Sequence, residues 1–339
     1  MFPLTRQVAR ALRAGGPEVI EVELEEIAPL RAGEALVRVE AAGLNHAETL
    51  IRSGNYTVRL PFPHAVGGEG SGTVVATAPE ATVSVGTRVC WAAVLGSCAT
   101  FVVAQASMLA PIPKGLSFDD GASLAVAGLT ASGLARVWPL EGRSAVVWGA
   151  AGAVGRMLVA ILADRGVDVI GIATGKRVDS VRAAGANHVI DRNSEDVRNS
   201  VLAYTAGRGV AAVFDPIGAQ TYETSLQLLA PRGCLINYGE LSGSVPAVNL
   251  HQLFPGSVFV TKYNGMRWVS GVQEFTSLIS DALSLAVKRP AVIGEIAGRF
   301  PLDRAADAYR ALDSGVHGKV LVIPNLRSFP QDSTAAKLA

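Results

Sequence analysis

Cysteine is scarce: Cys90, Cys98 and Cys234 are the only three in 339 residues, and none forms a C-x-x-C pair. Neither a disulfide framework nor a zinc knuckle is indicated, and a reducing cytoplasm is the expected setting. Net charge is nearly absent, with Lys+Arg 30 against Asp+Glu 29. That balance offers no basic face for nucleic acid and no patch for an anionic membrane surface. No apolar run is long enough to span a bilayer, and the opening MFPLTRQVAR leads into no signal-peptide core. Internal repeats and low-complexity blocks are missing too.

What is present is a globular composition, 49% hydrophobic and 17% charged, in a chain long enough for two cores. The organising stretch is SAVVWGAAGAVGRMLVAILADRGVDVIGIAT, residues 144–174. Ser144 to Trp148 reads as a strand and Gly149 to Gly155 as a tight loop. Val154, Leu158, Ile161 and Leu162 fall at helical spacing, Gly166 stops the helix, and Val167 to Ala173 is a second strand. Strand, glycine turn and helix form the first half of a dinucleotide-binding fold, whose helix start presents N–H groups to a pyrophosphate. Gly152 would let backbone approach the phosphates, with Ala153 and Val154 lining them, and Gly155 would let helix and strand pack closely. The first glycine of G-x-G-x-x-G is replaced by Ala150, so a phosphate-free crossover stays open from the loop alone.

A further absence narrows the cofactor. NAD sites carry a carboxylate about 20 residues past the loop. Here the strand runs out into Ala173-Thr174-Gly175-Lys176-Arg177, and Asp168 stands at its wrong end. A hydroxyl and two cations suit a 2′-phosphate, which arginine grips bidentately, so Thr174, Lys176 and Arg177 predict NADPH over NADH.

Along the chain, residues 1–110 read as β-rich, with strands at Val19 to Leu24, Ala35 to Ala41, Gly72 to Ala76 and Arg88 to Ala93 between Gly and Pro turns. Ser117 to Trp138 reads as a helix. Strands and helices then alternate, with Val210 to Asp215 and Val258 to Lys262 among the strands, implying a parallel sheet with right-handed crossovers. Trp268 to Lys288 reads as one long amphipathic helix, Asp303 to Leu312 as a shorter one, and Val320 to Ile323 as a strand returning to the first domain. The tail after Asn325 reads as unstructured.

Four stretches, AAGLNHAETLIRSGNY, HAVGGEGSGTVV, AVAGLTAS and WGAAGAVG with GKR following, together resemble the medium-chain dehydrogenase/reductase superfamily and its zinc-independent quinone oxidoreductase branch. The terminal HGKVLVIPN is similar to that of the related enoyl reductases. The resemblance implies an α/β protein. Residues 1–124 and 269–339 would form a GroES-like β-rich catalytic domain, and residues 125–268 a Rossmann doubly wound parallel-sheet domain. It also implies homodimers joined at the strand Val258 to Lys262. The activity implied is hydride transfer from NADPH to a quinone or α,β-unsaturated carbonyl; reduction of an enoyl thioester, or NADPH binding without catalysis, are the alternatives.

Zinc relatives need thiolate and imidazole ligands. This chain has Asn45 at the first ligand position, Gly68 at the histidine position and no cysteine in Ala127 to Thr130, so no metal is expected. His46 and His64 read as solvated or core residues. Catalysis would then rest on donors to the oxygen that gains charge. Asn45 is one candidate, which the resemblance puts near the nicotinamide or the substrate carbonyl, with a loop cap as its plain alternative. Tyr56 is the other, since it resembles the tyrosine that the enoyl reductases use near the reacting carbon and would be a hydrogen-bond or proton donor, with a packed loop aromatic as its alternative. By resemblance, Thr130 at the start of the helix entering the second domain faces the ribose or nicotinamide. Tyr238, Gly239, Tyr263 and Asn264 follow strand ends where nucleotides sit. Lys319 resembles a lysine of the enoyl reductases and reads equally as a solvated strand-end residue.

Overall fold

The computed structural model describes residues 5–56 and 59–325; the tail after Asn325 lies outside the described residues. Two compact units emerge, one running to Ser123 and resuming at Glu295, the other Leu124–Gly294.

In chain order the first unit contains β1 (Thr5–Ala11), β2 (Ile20–Glu26), β3 (Glu34–Gly43), α1 (His46–Arg52), β4 (His64–Ala65), β5 (Glu69–Thr77), β6 (Arg88–Ala92), β7 (Phe101–Gln105) and β8 (Ala110–Pro111). α2 (Phe118–Leu134) begins in the first unit and ends in the second. The second unit continues with β9 (Ser144–Val147), α3 (Ala153–Asp164), β10 (Asp168–Ala173), α4 (Val178–Ala184), β11 (His188–Asp191), α5 (Val197–Tyr204), β12 (Val210–Asp215), α6 (Tyr222–Gln227) and β13 (Leu229–Asn237). It closes with α7 (Leu250–Leu253), β14 (Phe259–Lys262), α8 (Gly265–Trp268) and α9 (Val272–Lys288). The chain then returns to the first unit with β15 (Ile296–Pro301), α10 (Ala305–Asp313) and β16 (Lys319–Ile323).

In the first unit β3 is central. It pairs antiparallel with β5, β7 and β16, as expected of a last strand returning to the first domain. Its apolar residues Ala35, Leu36, Val37, Val39, Ala41 and Ala42 are fully buried; Ala35, Val37, Val39 and Ala42 share a core with Trp91 and with Ala308 and Tyr309 of α10. The helix α1 within AAGLNHAETLIRSGNY and the strand β15 are elements the sequence reading did not name. Both are short, and their periodicity is too brief to stand out.

The second unit holds a six-stranded, wholly parallel sheet in the order β11-β10-β9-β12-β13-β14. This is the Rossmann order, with its topological switch between β9 and β12, and in such sheets ligands sit beyond the carboxyl ends of the strands at that switch. The near-continuous burial of Val146, Val147, Ile170, Ile172, Val213 and Phe214 is that of strands covered on both faces.

Two boundaries differ from the sequence reading. The long helix expected over Trp268 to Lys288 is broken, because α8 ends at Trp268 and α9 starts after the N-cap Gly271. α9 also belongs to the second unit, so the change of unit falls after Gly294 rather than at residue 269. The cause is packing. The buried face of α9 includes Phe275, Leu278, Ala282 and Ala286. Ser132 Oγ donates to the Leu278 carbonyl at 3.3 Å, and a Cβ on Gly128 would lie 2.5 Å from that of Ala282.

Candidate functional site

In the second unit the glycine loop sits at the carboxyl end of β9. The Ala150 N–H donates to the Ile172 carbonyl at 3.1 Å, fixing the loop beside β10. Gly152 is the N-cap of α3, and Gly152 and Ala153 are exposed. The N–H groups of the first helical turn have no partner one turn earlier in the helix and point outward with the positive end of the dipole. Gly155 is needed for the close approach, since a Cβ there would stand 2.3 Å from the Gly149 carbonyl oxygen and 2.8 Å from Ala150 Cα. Gly152 is less constrained, its nearest neighbour being 3.2 Å away.

At the end of β10, Thr174 leads into a single turn of 3-10 helix, Gly175–Arg177, with Lys176 and Arg177 exposed. The Arg177 guanidinium donates to the Thr174 hydroxyl, so the hydroxyl and one cation lie together. Asp168 sits at the opposite end of the strand, where it accepts from the Tyr204 hydroxyl at 2.9 Å.

At the far side of the switch, a network not foreseen from sequence ties the strand ends together. Trp148 Nε1 donates to Ser225 Oγ at 2.9 Å, and Ser225 and Thr221 donate to buried Asp215 at 3.1 and 2.7 Å. Asn237 donates to the Asp215 carbonyl at 3.1 Å and accepts from Lys262 Nζ at 2.7 Å. Tyr238 follows Asn237, and burial pushes its hydroxyl pKa far up. Gly239 presses on Pro216, whose carbonyl oxygen would be 2.5 Å from a Cβ. The Tyr263 hydroxyl is turned toward α2 at Gly133, and burial raises its pKa to about 12. Asn264 caps α8 by accepting from the Arg267 N–H at 3.2 Å. Thr130 lies in the C-terminal half of α2 rather than at the helix start that was expected, because α2 begins at Phe118.

The first unit holds a compact polar cluster. Asn45 precedes α1 with N-cap backbone angles, yet its side chain makes no cap hydrogen bond. It turns instead into the cluster, where Nδ2 donates to Glu69 Oε2 at 2.9 Å and Oδ1 accepts from Lys319 Nζ at 2.9 Å. Lys319 Nζ also lies 2.5 Å from Glu69 Oε2, with side-chain exposures of 10% and 0% for the two partners, so this is a buried ion pair and not a solvated strand end. Strand register explains the meeting, because Gly43 of β3 pairs with Glu69 on one side and Leu321 on the other. A Cβ on Gly43 would be 2.6 Å from Lys319 Cε and 2.0 Å from the Ala122 carbonyl oxygen. A glycine there is what gives the lysine stem its path.

Beside the ion pair, Glu48 accepts from the Tyr309 hydroxyl at 2.5 Å and from the Gly68 N–H at 3.3 Å. Burial raises the Glu48 carboxyl above the usual range, against the opposing pull of Tyr309, Lys319 and Asn45. Of the predicted catalytic pair, Asn45 is in this cluster, and Tyr56 is half-buried shortly after α1. His46 is exposed and His64 buried. Glu69, Glu48 and Tyr309 were not predicted, and Lys319 was named only as resembling a lysine of the enoyl reductases or as a solvated strand-end residue. The available signal was a lone carboxylate in the glycine-rich strand HAVGGEGSGTVV, which once buried demands a cationic partner.

Comparison with known proteins bears on both units. Residues 31–132 match the family described as alcohol dehydrogenase GroES-like domain, and residues 153–296 match zinc-binding dehydrogenase. A quinone oxidoreductase of Pseudomonas aeruginosa is 34% identical over 88% of this chain and 93% of its own. The chain is a medium-chain dehydrogenase/reductase of the quinone oxidoreductase branch. A 2-haloacrylate reductase from a Burkholderia species is 30% identical over 92% of this medium-chain reductase and 97% of its own length. The mycobacterial protein Rv1454c, solved in complex with NADPH, superposes with a TM-score of 0.83 at 33% identity, covering 94% of this chain and all of the other.

Although one matching family is named for zinc, the residues here do not fit that ion. Among the described residues no group of three or more His, Cys, Asp or Glu side chains could hold a metal. The polar centre beside Asn45 already contains a cation, the Lys319 ammonium, and a divalent ion there would be repelled by it. Cys90, Cys98 and Cys234 are buried free thiols, and burial alone raises Cys234 to about 11.

Proposed function

We propose that this chain is an NADPH-dependent, zinc-independent reductase of quinones or α,β-unsaturated carbonyls. The observation that carries the reading is the near-full-length relationship to a quinone oxidoreductase and to a 2-haloacrylate reductase, whose named substrate contains a conjugated C=C bond. The second unit is the cofactor half, and its residues fit a phosphorylated dinucleotide. The exposed start of α3 at Gly152, Ala153 and Val154 takes the pyrophosphate. Thr174, Lys176 and Arg177 take the 2′-phosphate. Thr130, Tyr238, Gly239, Tyr263 and Asn264 complete the cofactor set of the second unit. NADPH supplies the hydride when bound.

The chain's own task is to steady the oxygen that gains charge and to supply a proton. Asn45 and Lys319 form the donor set, with Glu69 fixing the ammonium so that its remaining N–H is held in one direction. Loss of one such preorganised donor typically costs ~2.7–4 kcal/mol of barrier. Tyr56 donates a hydrogen bond or a proton to the reacting end of the acceptor.

Cofactor oxidation with a panel of quinones and enones tests the reading, and NADPH should be preferred over NADH. Tyr56→Phe should lower kcat by about 10²-fold if the hydroxyl gives a proton; unchanged turnover would remove its chemical role. Stoichiometric zinc by elemental analysis would overturn the metal-free account. The reading also includes a homodimer joined at β14, an edge of the parallel sheet where Phe259 is half exposed. Light scattering showing a monomer at all concentrations would refute that. Among the described residues no helix is long and apolar enough to cross a membrane, and three reduced thiols fit a cytoplasmic location.

A further inference from the structure

The corner at Thr174 to Arg177 is held by a carboxylate from the neighbouring strand. β10 and β11 run parallel with Ala173 opposite Asp191, so both strands end at the same level. There Asp191 Oδ1 accepts from the Gly175 N–H at 3.0 Å and from the Asn193 N–H at 3.0 Å. The turn that follows β11 is fastened in its own right, because the Asp191 N–H donates to Glu195 Oε1 at 3.0 Å and the Arg192 N–H donates to the Ala173 carbonyl at 3.1 Å. Asp191 is therefore a fixed post, and Gly175 is tied to it across the strands. Gly175 has φ +53°, and directly after it come the two cations of the corner.

We infer that Asp191 is a positioning residue for cofactor choice: by anchoring the Gly175 N–H it holds Lys176 and Arg177 in the arrangement that receives a 2′-phosphate. The inference rests on the NADPH reading above. A bare carboxylate beside a phosphate site would repel the ligand, but two backbone N–H groups spread this charge. They also hold the Asp191 carboxyl below its usual range, Gly175 most of all. The carboxylate's work is directed at the backbone, and the cations of the turn face solvent. Without the anchor, a four-residue turn containing one glycine regains backbone freedom, and the phosphate must order it on binding.

The test compares Asp191→Ala, Asp191→Asn and Arg177→Ala in the full chain, measuring kcat and KM with NADPH and with NADH, and thermal unfolding. Asp191→Ala should raise the NADPH KM by about tenfold, the scale of one lost preorganising hydrogen bond. It should leave the NADH KM and the kcat within twofold. Asp191→Asn keeps an acceptor oxygen at the same place and should restore the NADPH KM. Adding Asp191→Ala to a variant that already carries Lys176→Ala and Arg177→Ala should cost little more, because the anchor acts through these two cations. An equal rise for both cofactors, or failure of Asp191→Asn to rescue, would overturn the inference in favour of a purely structural carboxylate. If Arg177→Ala weakens NADPH while Asp191→Ala does not, the inference falls and the NADPH corner stands. If Arg177→Ala leaves the cofactor preference unchanged, both fall.

Discussion

The proposed cofactor corner of the second unit and the polar cluster of the first are built on opposite plans. The corner is local. Gly152, Ala153, Val154 and Gly155 are consecutive, and Thr174 to Arg177 follow about twenty residues on; the proposed binding there draws on backbone N–H groups at the start of α3. The cluster is assembled from four distant pieces, with Asn45 and Lys319 separated by 274 positions and Glu69 and Lys319 by 250. A site made of backbone depends on loop shape and tolerates changes in neighbouring side chains. A site made of buried charges depends on each partner being present.

That contrast can be pressed from both sides. The largest effect should come from breaking the ion pair. Glu69→Ala leaves the Lys319 ammonium buried without its carboxylate, and such losses destabilise by roughly 3–5 kcal/mol. Denaturant unfolding should register it, and the double variant Glu69→Leu with Lys319→Met should recover most of the stability. If Glu69→Ala unfolds like the parent, the pair is not the buried contact described. On the other side, Gly155→Val should displace α3 from the loop, costing about 1–3 kcal/mol through overpacking. Unlike the cluster variants, it should weaken NADPH binding measured by fluorescence titration. Unaltered NADPH affinity would mean that the helix approach is not what shapes the phosphate cradle.

The smallest effect concerns Glu48. Its folded carboxyl is raised by burial above the ordinary 4.5, so the folded state holds its proton longer than the unfolded chain. Stability from this group is fully present below the unfolded value and declines as pH rises through the folded one. Glu48→Gln removes the titration, so the parent's unfolding free energy relative to the variant should fall as pH rises above about 4.5. A parallel pair of pH profiles would contradict the burial of this carboxyl.

The same contrast explains what was legible in the sequence. The parallel sheet, the glycine loop and the cations of the corner could be read directly, since each is a pattern within a few residues: an apolar strand, small residues at the turn, helical spacing after it. Asn45 could be named from AAGLNHAETL, but its bonds could not, because they run to strands whose pairing no local pattern reveals. Lys319 is the clearest case. In HGKVLVIPN it stands before an apolar strand with nothing nearby to neutralise it, and solvent looks like its natural place. Only the β3–β16 register, with Gly43 between, carries it to Glu69. The break before α9 was hidden for a related reason, as the apolar spacing persists across Gly271 while the backbone does not.

The missing side chain at residue 43 also constrains any redesign of this protein. An engineer who places a thiol at residue 45 and an imidazole at residue 68 still leaves the Lys319 ammonium, 2.9 Å from the Asn45 side-chain oxygen, to repel a divalent ion. The route to an ion-dependent enzyme from this scaffold begins at the far end of the chain, by evicting the lysine, and only then turns to the ligands.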